Sequence, residues 1–210
     1  GGITFSSSID GAKDLDLSSG SGSISVGGTI GGTTALDTLD INNSSGAGII
    51  SLNDIGDSNT QGVTGTSRIG NDTTENLTLA GTTYKTDQVT YTSKAGENID
   101  LTGGSDTTFT TSSDSITFAT GTVEMGNGSN LIIDTSTGGG SIDIASVMGT
   151  SSESITLTAG AGTVAIGAVG TGTEVADVTI TSTAATTFSG DFTGGSLTNS
   201  SPVIIASTMD

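Results

Sequence analysis

Apolar residues along this chain recur in pairs separated by a single residue. The pairs begin at Ile3/Phe5, Leu15/Leu17, Ile24/Val26, Leu39/Ile41 and Ile50/Leu52, then Leu77/Leu79, Val89/Tyr91 and Ile99/Leu101. They continue at Ile116/Phe118, Val123/Met125, Leu131/Ile133, Ile142/Ile144, Ile155/Leu157, Val164/Ile166, Val178/Ile180 and Val203/Ile205. Alternation of period two marks strands with one buried face. Each run lasts only about three to five residues before Gly, Ser, Asn or Asp breaks it. No helical period competes with this pattern.

Longer segments repeat as well. Leu15 to Gly31, LDLSSGSGSISVGGTIG, matches Ile155 to Gly170, ITLTAGAGTVAIGAVG, nearly position for position. Leu39 to Gly56 is the same unit with a longer turn. Doublets at Leu15 and Leu39 start 24 residues apart, and those at Leu131, Ile155, Val178 and Val203 start 24, 23 and 25 apart. A period in the low twenties is the mark of a solenoid, in which each unit buries its apolar face only by stacking on the next. The expected fold is therefore all-β: one parallel β-helix over residues 1–210, with about nine short coils of roughly 22–25 residues and a length of roughly 45 Å at the usual strand spacing. Gly20, Gly22, Gly160 and Gly162 fall at its corners. The polar stretch 57–75 reads as a loop-out or a degenerate coil.

Composition supports a narrow aliphatic core. Aromatics are 3% of the chain, there is one proline (Pro202), and Ser plus Thr make up about a third. A β-sandwich would ordinarily carry longer strands and more aromatics. Disorder would lack the regularly placed β-branched residues.

Charge narrows the partners. Twenty-two acids against four bases (Lys13, Arg68, Lys85 and Lys94) leave a net charge of −18. Nucleic acid and anionic membranes are poor partners for such a surface. No apolar stretch approaches the ~20 residues of a membrane span. With no His and no Cys, zinc, thiol and Ser–His–acid chemistry have no ligands or base here. No enzyme is expected and no cofactor is required.

Calcium is the one metal the oxygen-rich composition suits. In the doublets at Leu15 and Leu39 the middle residue points outward, which stacks Asp16 against Asp40 in adjacent coils, with Asp14 and Asp37 nearby. These four are the candidate calcium ligands; a solvated acidic face is the plainer reading. Outward Thr pairs (Thr90/Thr92, Thr108/Thr110, Thr156/Thr158 and Thr179/Thr181) suggest an ice-like lattice or simply soluble strands. Asn42, Asn43, Asn71, Asn76, Asn127 and Asn199 head glycosylation sequons.

The strings ITF, SIDG and LDLSSGSGSISVGGTIGGTTALDTLDI resemble the repeats of filamentous-haemagglutinin-like and autotransporter-type bacterial surface proteins. That resemblance covers most of the chain. It implies a right-handed parallel β-helix, secretion, and a role in adhesion, biofilm or cell-surface fibres, with no catalytic residues to transfer. The family's N-terminal secretion domain is missing from this sequence, which suggests one segment of a longer array. The expected role is then a structural segment or subunit of an extracellular fibre or cell-surface filament of a prokaryote. Its partners are neighbouring repeats or copies of itself, meeting end to end through terminal coils at Ile3, Phe5, Val203 and Ile205. The alternatives are an adhesin binding a host or matrix ligand through loop-outs, and a calcium-organised surface-layer or matrix protein.

Overall fold

The computed structural model describes residues 1–44, 46–126 and 128–206. They form an all-β solenoid with no helix, wound as parallel strands into about eight turns. Three faces run along it. Face three is the most complete, with nine strands stacked from Leu15–Leu17 through Leu39–Ile41, Thr66–Ile69 and Gln88–Thr92 to Val203–Ile205. Those nine levels are eight steps apart, which is why the turn count is about eight where the sequence pattern counts about nine coils. Face one begins with Ile3–Phe5, Ile24–Val26, Ile50–Leu52 and Leu77–Leu79. Face two is a six-stranded sheet running from Thr83–Thr86 to Gly194–Asn199.

Face two changes character along the rod. In the first three levels it is only a column of single bridging residues, Ile9, Ile30 and Ile55, which reaches Tyr84 in the fourth. Glycine and acidic residues flank these isoleucines and stop a strand from extending. From the fourth level onward most of these segments alternate outward Thr with inward Tyr, Phe, Ile or Leu, with Leu131–Asp134 (LIID) as the exception. That is a run a pleated strand accommodates well.

The core is a set of side-chain ladders. Leu15, Leu39, Ser67, Val89, Ile116, Ile142, Val164, Thr186 and Val203 stack in register up face three. Coil length varies more than the doublet spacing suggests. Leu39 stacks on Ser67, 28 residues on, whereas Thr186 stacks on Val203, 17 residues on. Leu131, Ile155 and Val178 do share one column on face two. Val203 belongs to face three, so the fourth member of that regular series lies in another column.

The polar stretch 57–75 supplies a turn at its start and then the strand Thr66–Ile69, whose Ile69 is fully buried. Val63 bridges to Leu36 in the level below. The excursion is confined to short turns on either side of ordinary ladder positions.

The core is not purely aliphatic. Tyr84, Tyr91, Phe109 and Phe118 are all buried within the fourth and fifth levels. Tyr84 stacks on Phe109 with centroids 4.9 Å apart, and Tyr91 on Phe118 at 5.0 Å. Edge-to-face contacts join the two stacks, at 5.6 Å for Tyr91–Phe109 and 5.3 Å for Phe109–Phe118. Both geometries are ones that aromatic quadrupoles favour.

The matching units 15–31 and 155–170 lie on different faces. Leu15 starts on face three and Ile155 on face two. What the two share is a strand–corner–strand device. Gly20 and Gly160 adopt left-handed φ values of 63° and 57°. At Gly22 and Gly162 a Cβ would stand 2.3 and 2.1 Å from the backbone oxygens of Gly1 and Gly140 in the coil below. One glycine turns the chain and the next lets two corners touch.

Candidate functional surfaces

Outward columns carry the side chains that can meet a partner. On face three Asp16 stacks on Asp40, as the doublet spacing predicts, and Asp40 stacks on Arg68. The only arginine thus stands directly over the acidic pair. Its Nη1 lies 3.6 Å from Asp40 Oδ1, in a half-exposed pair of a kind worth at most about 1 kcal/mol. Asp14 accepts the Thr38 hydroxyl at 2.7 Å, and the Asp37 amide donates to Lys13 O at 3.1 Å. Among the described residues no three acidic side chains gather as a group able to hold a metal ion.

The acids do work that the sequence reading missed. Several accept hydrogen bonds from the next coil. Asp10 takes the amides of Thr33 and Thr34 at 2.7 and 3.0 Å, which hold its carboxyl below the usual range. Asp54 takes those of Thr82 and Thr83 at 2.8 and 2.9 Å. Asp106 accepts from Asn130 Nδ2 at 2.7 Å, and Asn130 Oδ1 accepts the Ser154 amide at 2.8 Å. That relay crosses three levels in steps of 24 residues. Acids paired with Thr, Ser or Asn one coil later were the available signal.

Glu153 is the most enclosed acid, 2% exposed. Its carboxylate accepts the Thr150 and Ser151 amides at 2.9 and 2.8 Å and both hydroxyls at 2.9 and 3.0 Å. Burial alone raises its pKa. The hydrogen bonds outweigh that and bring it down to about 2. Glu153 therefore closes a corner as an anion at neutral and mildly acidic pH.

Two grooves open on the flanks. One, of about 500 Å³, is lined by Ile49, Glu75, Asn76, Lys94, Gly96, Glu97, Asn98 and Asp100. Its asparagines point up the rod: Asn76 Nδ2 donates to Asp100 at 2.8 Å and Asn98 Nδ2 to Glu124 at 2.6 Å. Burial, and then the Asp100 carboxylate, raise the Glu124 pKa. The other groove, of about 320 Å³, is lined by Gln61, Lys85, Thr86, Thr110, Thr111, Ser112 and Thr137. The Asp57–Thr60 turn stands beside it, with Lys85 Nζ donating to Ser58 O at 2.7 Å. Asp57 caps its own turn through the Asn59 and Thr60 amides.

Three of the four predicted Thr pairs stack together on face two, whereas Thr90 and Thr92 lie on face three. Thr108, Thr156, Thr179 and Thr198 share one outward column of face two, interrupted by Ile132. Thr110, Thr158 and Thr181 share the neighbouring one, interrupted by Asp134.

Among the sequons, Asn42 is buried in a left-handed conformation (φ 47°), its Oδ1 accepting the Ser19 amide at 3.0 Å. It is a corner residue rather than an accessible acceptor. Asn71 donates to Gly46 O, and Asn199 to Ser201 O. Asn127 lies outside the described residues.

The end levels carry four of the exposed large apolar residues: Phe5 is 37% exposed, and Val203, Ile204 and Ile205 are 45–53% exposed; Ile49, 43% exposed, lies in the larger flank groove. The strand Ile3–Phe5 pairs only with Ile24–Val26, and Val203–Ile205 only with Thr186–Phe188, among the described residues.

Taken together, fold and surface define a parallel β-solenoid rod with polar flanks and apolar ends. No family model, curated protein or solved structure matches the chain.

Proposed function

We propose that this chain is a structural rod: a segment or subunit of an extracellular fibre or cell-surface filament, extended by further coils stacked on its ends. One observation carries the reading. The parallel ladder is continuous on face three from Leu15 to Ile205, and side chains such as Asp106, Asn130 and Asp54 reinforce it from coil to coil. A net charge of −18 keeps the flanks hydrated and resists lateral aggregation. The placement outside a prokaryotic cell rests on the resemblance of the coils to filamentous-haemagglutinin-like repeats. Immunogold labelling of intact source cells tests it. Gold along surface fibres is the expected result; label confined to the cell interior would overturn it.

A second reading, an adhesin, is favoured by the groove beside the Asp57–Thr60 turn. Because 57–75 also carries the strand Thr66–Ile69, the test must spare the ladder. Exchanging 57–60 for a Gly/Ser turn should abolish retention on host or matrix surfaces if that groove binds, with the β circular dichroism spectrum unchanged. Unaltered retention would remove this reading.

A further inference from the structure

The ladder columns point to a specific way in which two copies would meet, an inference that rests on the fibre-subunit reading above. Each column can be followed from the lowest level to the highest. On face three the column of Leu15 ends at Val203, that of Asp16 at Ile204, and that of Leu17 at Ile205. On face one the column of Ile3 passes through Ile24, Ile50, Leu77, Ile99, Val123, Val147 and Val169 to Phe192. The chain climbs from face one through face two to face three, and its highest described strand, Val203–Ile205, is on face three. The next position in that winding is face one, where Ile3–Phe5 begins.

We infer that a second copy docks head to tail by continuing these columns: Ile3 of one copy over Phe192 of the other, and Leu15, Asp16 and Leu17 over Val203, Ile204 and Ile205. Apolar side chains then meet apolar side chains on two faces. This covers Phe5, Val203 and Ile205, which belong to inward columns and yet are 37–53% exposed. On face two the column of Ile9 ends at Asn199, whose amide and oxygen are already bonded to Ser201. Edge strands left open in this way are templates for further pairing. The contact is heterologous, so it propagates as a filament rather than closing as a dimer. With nine levels per copy the axial repeat is about 43 Å at ~4.8 Å per level.

The absence of cysteine from the chain allows a clean test. Asp16 and Ile204 both point outward and are exposed, so Asp16→Cys and Ile204→Cys leave the core intact. In the inferred register their Cα atoms stand about 5 Å apart, within the range a disulfide bridges. Mild oxidation of the double variant should give a ladder of covalent oligomers on non-reducing gels. A mixture of the two single variants should stop at dimers containing one of each. Association by sedimentation without these cross-links, or cross-linked dimers of Ile204→Cys alone, would overturn the register while leaving the fibre reading standing. A wild-type chain that stays monomeric at every concentration would overturn the subunit reading itself.

Discussion

At the residue scale the clearest case is Glu153. Its pKa is about 2 in the folded chain against an ordinary 4.5. The folded value is the depressed one, so its stabilising contribution is complete above the unfolded pKa and is lost as pH falls toward 2. Melting temperature should drop between about pH 5 and pH 2, and Glu153→Gln should show a smaller drop. An equal acid sensitivity in the variant would mean that the corner does not depend on the anion. Tyr91 gives the opposite expectation. Its ring is stacked on Phe118, but its buried hydroxyl has no protein hydrogen-bond partner. Tyr91→Phe should leave stability unchanged or raise it by up to about 1 kcal/mol, since an unpaired hydroxyl gains nothing from burial. Phe109→Ala should cost about 3–5 kcal/mol. Urea midpoints separate the two. A loss on Tyr91→Phe comparable to that on Phe109→Ala would show that the hydroxyl is bonded.

At the element scale the corners matter as much as the strands. The strand Ile142–Gly149 buries Ile142 and Ile144, then Val147 and Gly149. The alternation slips by one residue at Ala145 and Ser146, where the strand passes from face three to face one. Gly167 stacks over this bend, and a Cβ there would meet Ala145 O at 1.8 Å. Gly27 is a control, because its Cβ would find only Phe5 O at 3.7 Å. Gly167→Ala should destabilise by about 2 kcal/mol or more, and Gly27→Ala by well under 1. Equal thermal shifts would contradict the close stacking at this corner.

These elements also show what the sequence made legible. Period-two doublets reveal strands because most inward residues are apolar when a ladder is the only core; Ser67 and Thr186 are the buried polar exceptions on face three. Coil spacing revealed the Leu15–Leu39 and Leu131–Ile155–Val178 columns for the same reason. The face on which a doublet lies is not encoded locally. The units starting at Leu15 and Ile155 spell the same corner glycines and sit on different faces, because a corner motif fixes a turn and leaves the winding phase to the lengths of the other turns. Asp16 and Asp40 were legible as stacked neighbours. The acceptor roles of Asp54 and Asp106 were not, since they depend on which residue one coil later falls opposite.

At the scale of the whole molecule the structure is close to one-dimensional. Each coil packs chiefly on its neighbours, so stability is close to a sum of coil and interface contributions, and local opening starts at the ends. The aromatic block at Tyr84, Tyr91, Phe109 and Phe118 stands in the middle. Amide exchange should be slowest in the strands Gln88–Thr92, Thr107–Thr111 and Ile116–Thr120 and fastest in Ile3–Phe5 and Val203–Ile205. Uniform protection from end to end would show that the coils unfold as one unit. The flanks are strongly acidic and hydrated, while the exposed inward-column residues are concentrated at the two ends. On the proposed fibre reading, repulsion discourages side-by-side contact and axial stacking is the association expected. Electron cryomicroscopy of the purified chain at increasing concentration measures this directly. The account predicts narrow unbranched filaments with strands perpendicular to the axis, a spacing of ~4.8 Å between levels and an axial repeat of about 43 Å. Compact single particles that never associate, or filaments whose strands run along the axis, would contradict it.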